Sequence, residues 1–365
     1  MIKFAESPYK GITIKVIGIG GGGSNAVSYM SRNNIKNIVT IALNTDAQHL
    51  ARVNADEKIV IGKKITGGLG AGGDPQIGKM AMEESLEEIK EKIRDADLVF
   101  LTAGLGGGTG TGGIPVLANA IKEMGILTVG VVTKPFREEG KKKMEKTERA
   151  LLELKDKVNT LLIIPNDKLL QSDQKILFKT ALEKADEVLY RAVKGIVNII
   201  QEPGYINVDF ADVKNILTLG GRAIIGMGEG KGEKRGIEAI RSAISSPLLE
   251  EVDVKKSKGI LINIRGKDIR TEEVQEIFGY LASEINQKED IETILGVDIT
   301  DEVSEGTVEI TLIAAGIEDE RIRKKELEPF PERTSEEEIM VPTFLRKFRK
   351  EDKKFEYPEN GDTEI

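Results

Sequence analysis

Two glycine-dense segments of this chain have a composition suited to holding phosphate. Residues 18–25 read GIGGGGSN and residues 104–113 read GLGGGTGTGG; a third flexible segment, TGGLGAGGDP, spans 66–75. Each of the first two follows an apolar run and precedes a helix-like stretch. Successive peptide N–H groups without side chains, at the positive end of a helix, form a cradle for an anion. Several cradles facing one crevice suit a chain of phosphates. Thr109 and Thr111 add hydroxyl donors without charge. No lysine closes the second loop, so it is not the lysine-bearing phosphate loop of common nucleoside triphosphatases. Gly18, Gly20 and Gly23 also satisfy G-x-G-x-x-G, with Asp46 lying after the next strand. That pattern alone allows a nicotinamide-dependent oxidoreductase, although dinucleotide enzymes use one such loop and here there are two. A tight strand-to-helix turn that holds nothing is the bland alternative, and glycine at this density argues against it.

Hydrolysis of a phosphate chain needs a water positioned and polarised at the terminal phosphate, and the glycine loops contain no obvious base. The carboxylates best placed in sequence are Asp209 and Asp212, in NVDFAD. Their i, i+3 spacing at a loop-to-helix junction can put both on one side. The competing role for Asp209 is to cap the following helix.

Composition removes other chemistries. The chain has 365 residues, enough for roughly two domains. With no cysteine there is no disulfide, no thiolate nucleophile and no cysteine metal site, a pattern that fits a reducing cytoplasm. The single histidine, His49, cannot build a multi-histidine zinc site and reads as a surface or packing residue. A net charge of -8 supplies no basic field for nucleic acid. The opening MIKFAESPYK lacks the apolar core of a signal peptide, and no run approaches the ~18 apolar residues of a membrane span.

The elements that must position these residues alternate between strand and helix. Apolar runs at 12–19, 37–43, 97–103, 126–133 and 160–165 read as strands buried on both faces, as in a parallel sheet. Between them, helices are expected from about Ser24 to Arg32, over 75–95 with Pro75 at its start, over 113–125 and near 140–157. The pattern predicts a doubly wound, mostly parallel α/β sheet with its ligand at the carboxyl ends of the strands. A long central helix over about 174–202 stops at Pro203-Gly204, and 205–212 reads as a loop. A second α+β region follows, with strands near 222–228, 258–264, 292–299 and 307–315 and helices near 233–245 and 271–286. This gives a nucleotide-binding domain at 10–175, a central helix at 176–204, an α+β domain at 205–317 and a charged, flexible tail at 318–365.

These residues carry a family resemblance. GGGTGTG at 106–112 matches the signature of the tubulin/FtsZ superfamily, and 10–317 resembles its cell-division branch. Supporting segments are KVIGIGGGGSNAV (15–27), LNTD (43–46), GAGGDP (70–75), TAGLGGGTGTG (102–112), VGVVTKPF (129–136), IPND (164–167), NVDFADV (207–213) and AISSPLLE (243–250). The resemblance implies a tubulin-like GTPase domain that binds GTP or GDP. Mg²⁺ is expected to neutralise the phosphates, and because it binds through substrate oxygens and waters with few protein ligands, no residue is assigned to it. Carried over residue by residue, the nucleotide contacts are Gly20, Gly21, Gly22, Gly23, Ser24, Asn25, Asn44, Ala71, Gly72, Gly73, Gly104, Gly107, Gly108, Thr109, Gly110, Thr111 and Gly112. Ala71, Gly72 and Gly73 would approach the terminal phosphate. Thr133 and Glu139 map to ribose contacts, and Asn25, Asn166 and Asp186 to guanine contacts.

The resemblance also implies head-to-tail self-assembly, with Asn207, Asp209 and Asp212 entering the nucleotide site of the next copy. A head-to-tail contact that does not close makes an open filament. In the tail, 339–350 includes VPTFLRKF, similar to the family's partner-binding peptide. It implies adaptor and regulator proteins as partners, a cytoplasmic location at the division site, and membrane contact only through those adaptors. The chain departs from the family at two places. Lys141, Lys142 and Lys143 stand where the family places an arginine, with Lys143 mapping to the contact; lysine keeps the charge but loses the bidentate fork. Leu182 stands where many relatives carry a base-stacking aromatic.

Overall fold

Alternation along the first strand shows how the sheet is buried. In β1 (Ile14–Ile19) every residue is buried. Ile14 and Val16 face one core, Ile17 and Ile19 the other. Leu98 and Phe100 of β4 (Leu98–Gly104) divide from Val99 and Leu101 in the same way. Successive side chains on a strand point to opposite faces, so such runs require helices on both sides. The computed structural model describes residues 11–169, 178–201, 209–246, 254–285 and 291–317. Asn207 and the whole of 318–365, with the peptide at 339–350, lie outside the described residues.

The remaining strands are β2 (Ile38–Asn44), β3 (Glu57–Val60), β5 (Leu127–Lys134), β6 (Thr160–Pro165), β7 (Arg222–Lys231), β8 (Gly259–Gly266), β9 (Glu292–Ile299) and β10 (Thr307–Ile317). All join one sheet in the order β3-β2-β1-β4-β5-β6-β7-β10-β8-β9. From β3 to β6 every pairing is parallel. β7 continues the sheet by only two residue pairs, Leu161 with Arg222 and Leu162 with Ala223. Antiparallel pairing on both sides of β10 builds the second half.

One face of the first half is covered by α1 (Gly20–Arg32), α9 (Phe178–Gln201) and α10 (Phe210–Thr218). The other is covered by α4 (Pro75–Glu84), α5 (Leu86–Ile93), α6 (Thr109–Glu123) and α7 (Lys141–Leu154). Short helices α2 (Ala47–Arg52), α3 (Lys63–Thr66) and α8 (Asn166–Leu169) fill connections. Helices α11 (Arg235–Ile244) and α12 (Thr271–Glu284) pack on β7, β8 and β10. The doubly wound, mostly parallel architecture follows the sequence expectation.

Several boundaries differ, each for a physical reason. α1 starts at Gly20 rather than Ser24, and α6 at Thr109 rather than 113, so much of each glycine loop is the first turn of its helix. Tertiary contacts override the low helix propensity of glycine there. The helix expected over 75–95 breaks at Ser85, whose hydroxyl accepts a hydrogen bond from the Gly62 N–H at 3.0 Å. α10 begins at Phe210, inside the expected loop. Lys15, buried in β1, donates to Asp95 Oδ1 at 2.6 Å and to the Lys92 carbonyl at 2.5 Å, pinning the end of α5 to the sheet.

α9 connects the two edges of the sheet. Its 24 residues span about 36 Å. It starts after α8, which continues from the carboxyl end of β6. At its other end Gln201 Nε2 donates to the Asn37 carbonyl at 2.9 Å, just before the amino end of β2. α10 also finishes at that amino edge, where Thr160 Oγ1 donates to the Leu217 carbonyl at 2.5 Å.

Candidate functional site

The carboxyl ends of β1 and β4 bring the two glycine loops together backbone to backbone. A Cβ on Gly23 would collide with the Thr102 carbonyl, and one on Gly18 with the Gly23 carbonyl. One on Gly20 would come 2.7 Å from the Gly110 nitrogen, and one on Gly110 2.9 Å from the Ile19 carbonyl. One on Gly22 would come 3.1 Å from the Gly104 backbone. The third segment packs on the signature loop: a Cβ on Gly108 would lie 2.9 Å from both Ala71 Cβ and the Asp74 nitrogen, and one on Gly112 would meet the Pro75 carbonyl. Much of the glycine content therefore lets three chain segments touch.

Gly21 and Gly107 are different. A Cβ on either would meet nothing within 4 Å, and neither has positive φ. Neither packing nor backbone conformation requires glycine at these two places. They border open space at the first turn of α1 and just before α6, where bare N–H groups and helix dipoles meet. Gly73 is likewise unobstructed, though it has φ +75.

The threonines hold the loops. Thr111 Oγ1 accepts from the Gly106 N–H at 2.9 Å, and Thr109 Oγ1 lies 2.6 Å from Thr45 Oγ1. Both residues are buried. Asn44, also buried, keeps its amide on local partners: Oδ1 accepts from the Asp46 N–H at 3.3 Å and Nδ2 lies 3.1 Å from His49 Nδ1. Asp46 caps α2 by accepting from the His49 N–H at 2.9 Å. The acid that a dinucleotide site would offer to a ribose thus serves as a helix cap.

Toward β5, Thr133 is buried beside Gly104, and the Leu105 N–H donates to the Thr133 carbonyl at 3.0 Å. Glu139 accepts the Phe136 N–H at 2.9 Å through Oε1 and Lys143 Nζ at 2.8 Å through Oε2. Of the residues expected to contact the base, Asn25 is exposed on α1 and Asn166 is buried at the start of α8. Ser24 Oγ and Asn166 Oδ1 are buried with no partner among the described residues. Burial raises the Asp186 carboxyl to about 7; Arg32 opposes this shift and Glu183 adds to it. Leu182 is 44% exposed one turn before Asp186.

Asp209 and Asp212 stand apart from this cluster. Both are exposed at the start of α10, and the Asp209 side chain makes no cap to the helix it precedes. Among the described residues no hydrogen bond or ion pair joins either acid to a glycine loop. Sequence reading missed Lys146 on α7, which donates to the Gly73 carbonyl at 2.7 Å. It also missed Thr45 and the cap on α4, where Asp74 Oδ1 accepts from the Gln76 N–H at 2.9 Å. The D-P of GAGGDP was a readable signal for that cap.

Comparison with known proteins agrees with this geometry. The family model for the tubulin/FtsZ family, GTPase domain, matches residues 13–174, and that for the FtsZ family, C-terminal domain, matches 221–318. The chain is 47% identical to cell division protein FtsZ 1 of Methanocaldococcus jannaschii over 322 residues, which cover 86% of this chain and 87% of that protein. It is 44% identical to mitochondrial division protein fszA of Dictyostelium discoideum, covering 84% of this chain but only 58% of that longer protein. A solved empty FtsZ dimer from M. jannaschii superposes with a TM-score of 0.79 at 44% identity, covering 88% of this chain and 96% of that one. Fold and site define a tubulin-like GTPase. Within that class, the chain belongs to the FtsZ family.

The two kinds of glycine give different outcomes on substitution. Gly23→Ala forces a Cβ into the Thr102 carbonyl and lowers stability by about 1–3 kcal/mol in thermal or denaturant unfolding. Gly107→Ala leaves the unfolding curve unchanged but abolishes nucleotide binding in a fluorescent-GTP titration. Unimpaired GTP binding by Gly107→Ala contradicts the assignment of that open space to phosphate.

Proposed function

We propose that this protein is a cell-division GTPase that polymerises head to tail and cuts GTP at a site completed by two copies. The observation that carries this reading is the open cradle at Gly21 and Gly107, on an element separate from the exposed, uncapped Asp209 and Asp212. The phosphate chain lies on the N–H groups of Gly20–Asn25 and Gly107–Gly112, with the third phosphate against Ala71, Gly72 and Gly73. Thr109 and Thr111 act mainly by fixing the loops, since their hydroxyls are already bonded. The ribose lies toward Thr133 and Glu139. Residues 10–175 form the nucleotide domain, 176–204 the bridging helix and 205–317 the domain that delivers the acids.

Guanine selection follows from the acceptors expected to contact the base. The unpartnered Asn166 Oδ1 and the Asp186 carboxylate suit the N1–H and N2–H₂ donors of guanine, which adenine does not offer as a pair. Asn207, Asp209 and Asp212 of the neighbouring copy orient the attacking water, and its proton leaves toward a carboxylate. Among the described residues no group of three or more acidic or histidine side chains could hold a metal. Mg²⁺ would ride on phosphate oxygens and water, adding positive charge to the phosphate chain. Hydrolysis removes the third phosphate from Ala71–Gly73 and weakens the junction it bridged. Division adaptors and regulators would bind the peptide at 339–350 and supply the membrane link at the division site.

Asp212→Ala keeps GTP binding within about twofold and lowers turnover by about 10²-fold or more, as loss of a group acting on the attacking water does. Normal turnover by this variant in a phosphate-release assay rules out the shared site. The raised Asp186 gives a pH signature. Its carboxyl must ionise to accept from guanine, so GDP affinity falls about tenfold per pH unit below 7 and levels off above it. Asp186→Asn binds weakly at every pH and removes that slope in calorimetric titrations. A wild-type slope matching that of Asp186→Asn assigns the base contact elsewhere.

A further inference from the structure

Helix α7 presents two lysines about one turn apart at the phosphate end of the crevice, and they have different partners. Lys143 is tied to Glu139, with Nζ 2.8 Å from Oε2, and its Cβ lies 3.2 Å from where a Cβ on Gly106 would sit. Other lysines nearby are also paired with acids: Lys141 with Glu145 at 3.8 Å and Lys134 with Glu148 at 2.8 Å. Lys146 has no carboxylate partner among the described residues; its ammonium donates to the Gly73 carbonyl, 2.7 Å away.

That carbonyl belongs to a segment anchored elsewhere by the fold. Gly72 and Gly73 lie in the left-handed region at φ 57 and 75. On one side of them Ala71 packs on Gly108; on the other, Asp74 caps α4. The Asp74 N–H donates to the Ala71 carbonyl at 3.0 Å, closing the turn. Lys146 ties this turn to α7, while Ala71 packs on the signature loop. A neutral carbonyl leaves the ammonium charge uncompensated. An uncompensated cation beside a turn with free N–H groups favours whatever state places negative charge there.

We propose that Lys146 is a positioning residue for the third phosphate, fixing the Ala71–Gly73 turn through the Gly73 carbonyl and biasing it by charge toward GTP over GDP. This rests on the nucleotide site described above. The task falls to Lys146 rather than Lys143, whose charge Glu139 already neutralises.

The test is the ratio of GTP to GDP affinity, measured with fluorescent nucleotides at fixed Mg²⁺ and salt on the full chain. Lys146→Met keeps the apolar stem and removes the charge. It weakens GTP binding by about tenfold, the scale of one charge-assisted hydrogen bond, and shifts GDP binding less than about twofold. Lys146→Arg returns GTP affinity to within about threefold of wild type. Lys146→Gln still reaches the carbonyl but carries no charge, and falls between the two. Equal weakening of GTP and GDP by both Lys146→Met and Lys146→Gln, or no change in either, overturns the proposal. Wild-type protein that binds neither nucleotide overturns instead the reading on which it rests.

Discussion

Close backbone contact among three loops at the carboxyl edge of the sheet is the constraint that the remaining structure serves. The Gly23–Thr102, Gly20–Gly110 and Gly108–Ala71 approaches leave no room for a single carbon atom. Such contacts survive only if the strands and helices beneath them cannot shift. The burial of β1, and of β4 up to Ala103, on both faces supplies that rigidity. The Thr45–Thr109 and Thr111–Gly106 hydrogen bonds then fix the loops without using charge. What remains unfilled is the space at Gly21, Gly73 and Gly107. A rigid frame around an open row of amide donors can bind a phosphate chain with little reorganisation.

Much of this was legible in the sequence. Apolar runs gave β1, β2, β4, β5 and β6 to within a residue or two, because strands buried on both faces leave an unmistakable composition. The edge strand β3, four residues reading EKIV, and the six-residue α2 are too short for periodicity to register. Helix starts were placed too late because glycine reads as loop until the neighbouring segment that demands it is known. The letters also hide a division of labour: Gly23 and Gly107 look alike in sequence, yet one is required by a neighbouring carbonyl and the other by empty space. Lys146 was invisible because its partner is a main-chain carbonyl 73 residues away, which no side-chain pattern encodes.

Cradle and carboxylates sit on different elements of the fold. α9 starts at the nucleotide edge and reaches the amino edge of the sheet, and α10 finishes at that edge. Asp209 and Asp212 head α10, exposed and free of the capping bond that would give them a local purpose. Amide donors on one element and uncommitted acids on another are what the proposed contact between two copies would bring together. On the function proposed above, repeating a head-to-tail contact that does not close would give a filament with the active site at its junctions.

The most direct measurement is the rate of phosphate release per protein molecule across a wide range of protein concentration, at saturating GTP. A site made by two copies predicts almost no turnover in dilute solution, a threshold, and a steep rise to a plateau as junctions form. A rate per molecule that stays constant down to concentrations where light scattering detects no assembly would contradict it, because one copy alone would then hold the whole site.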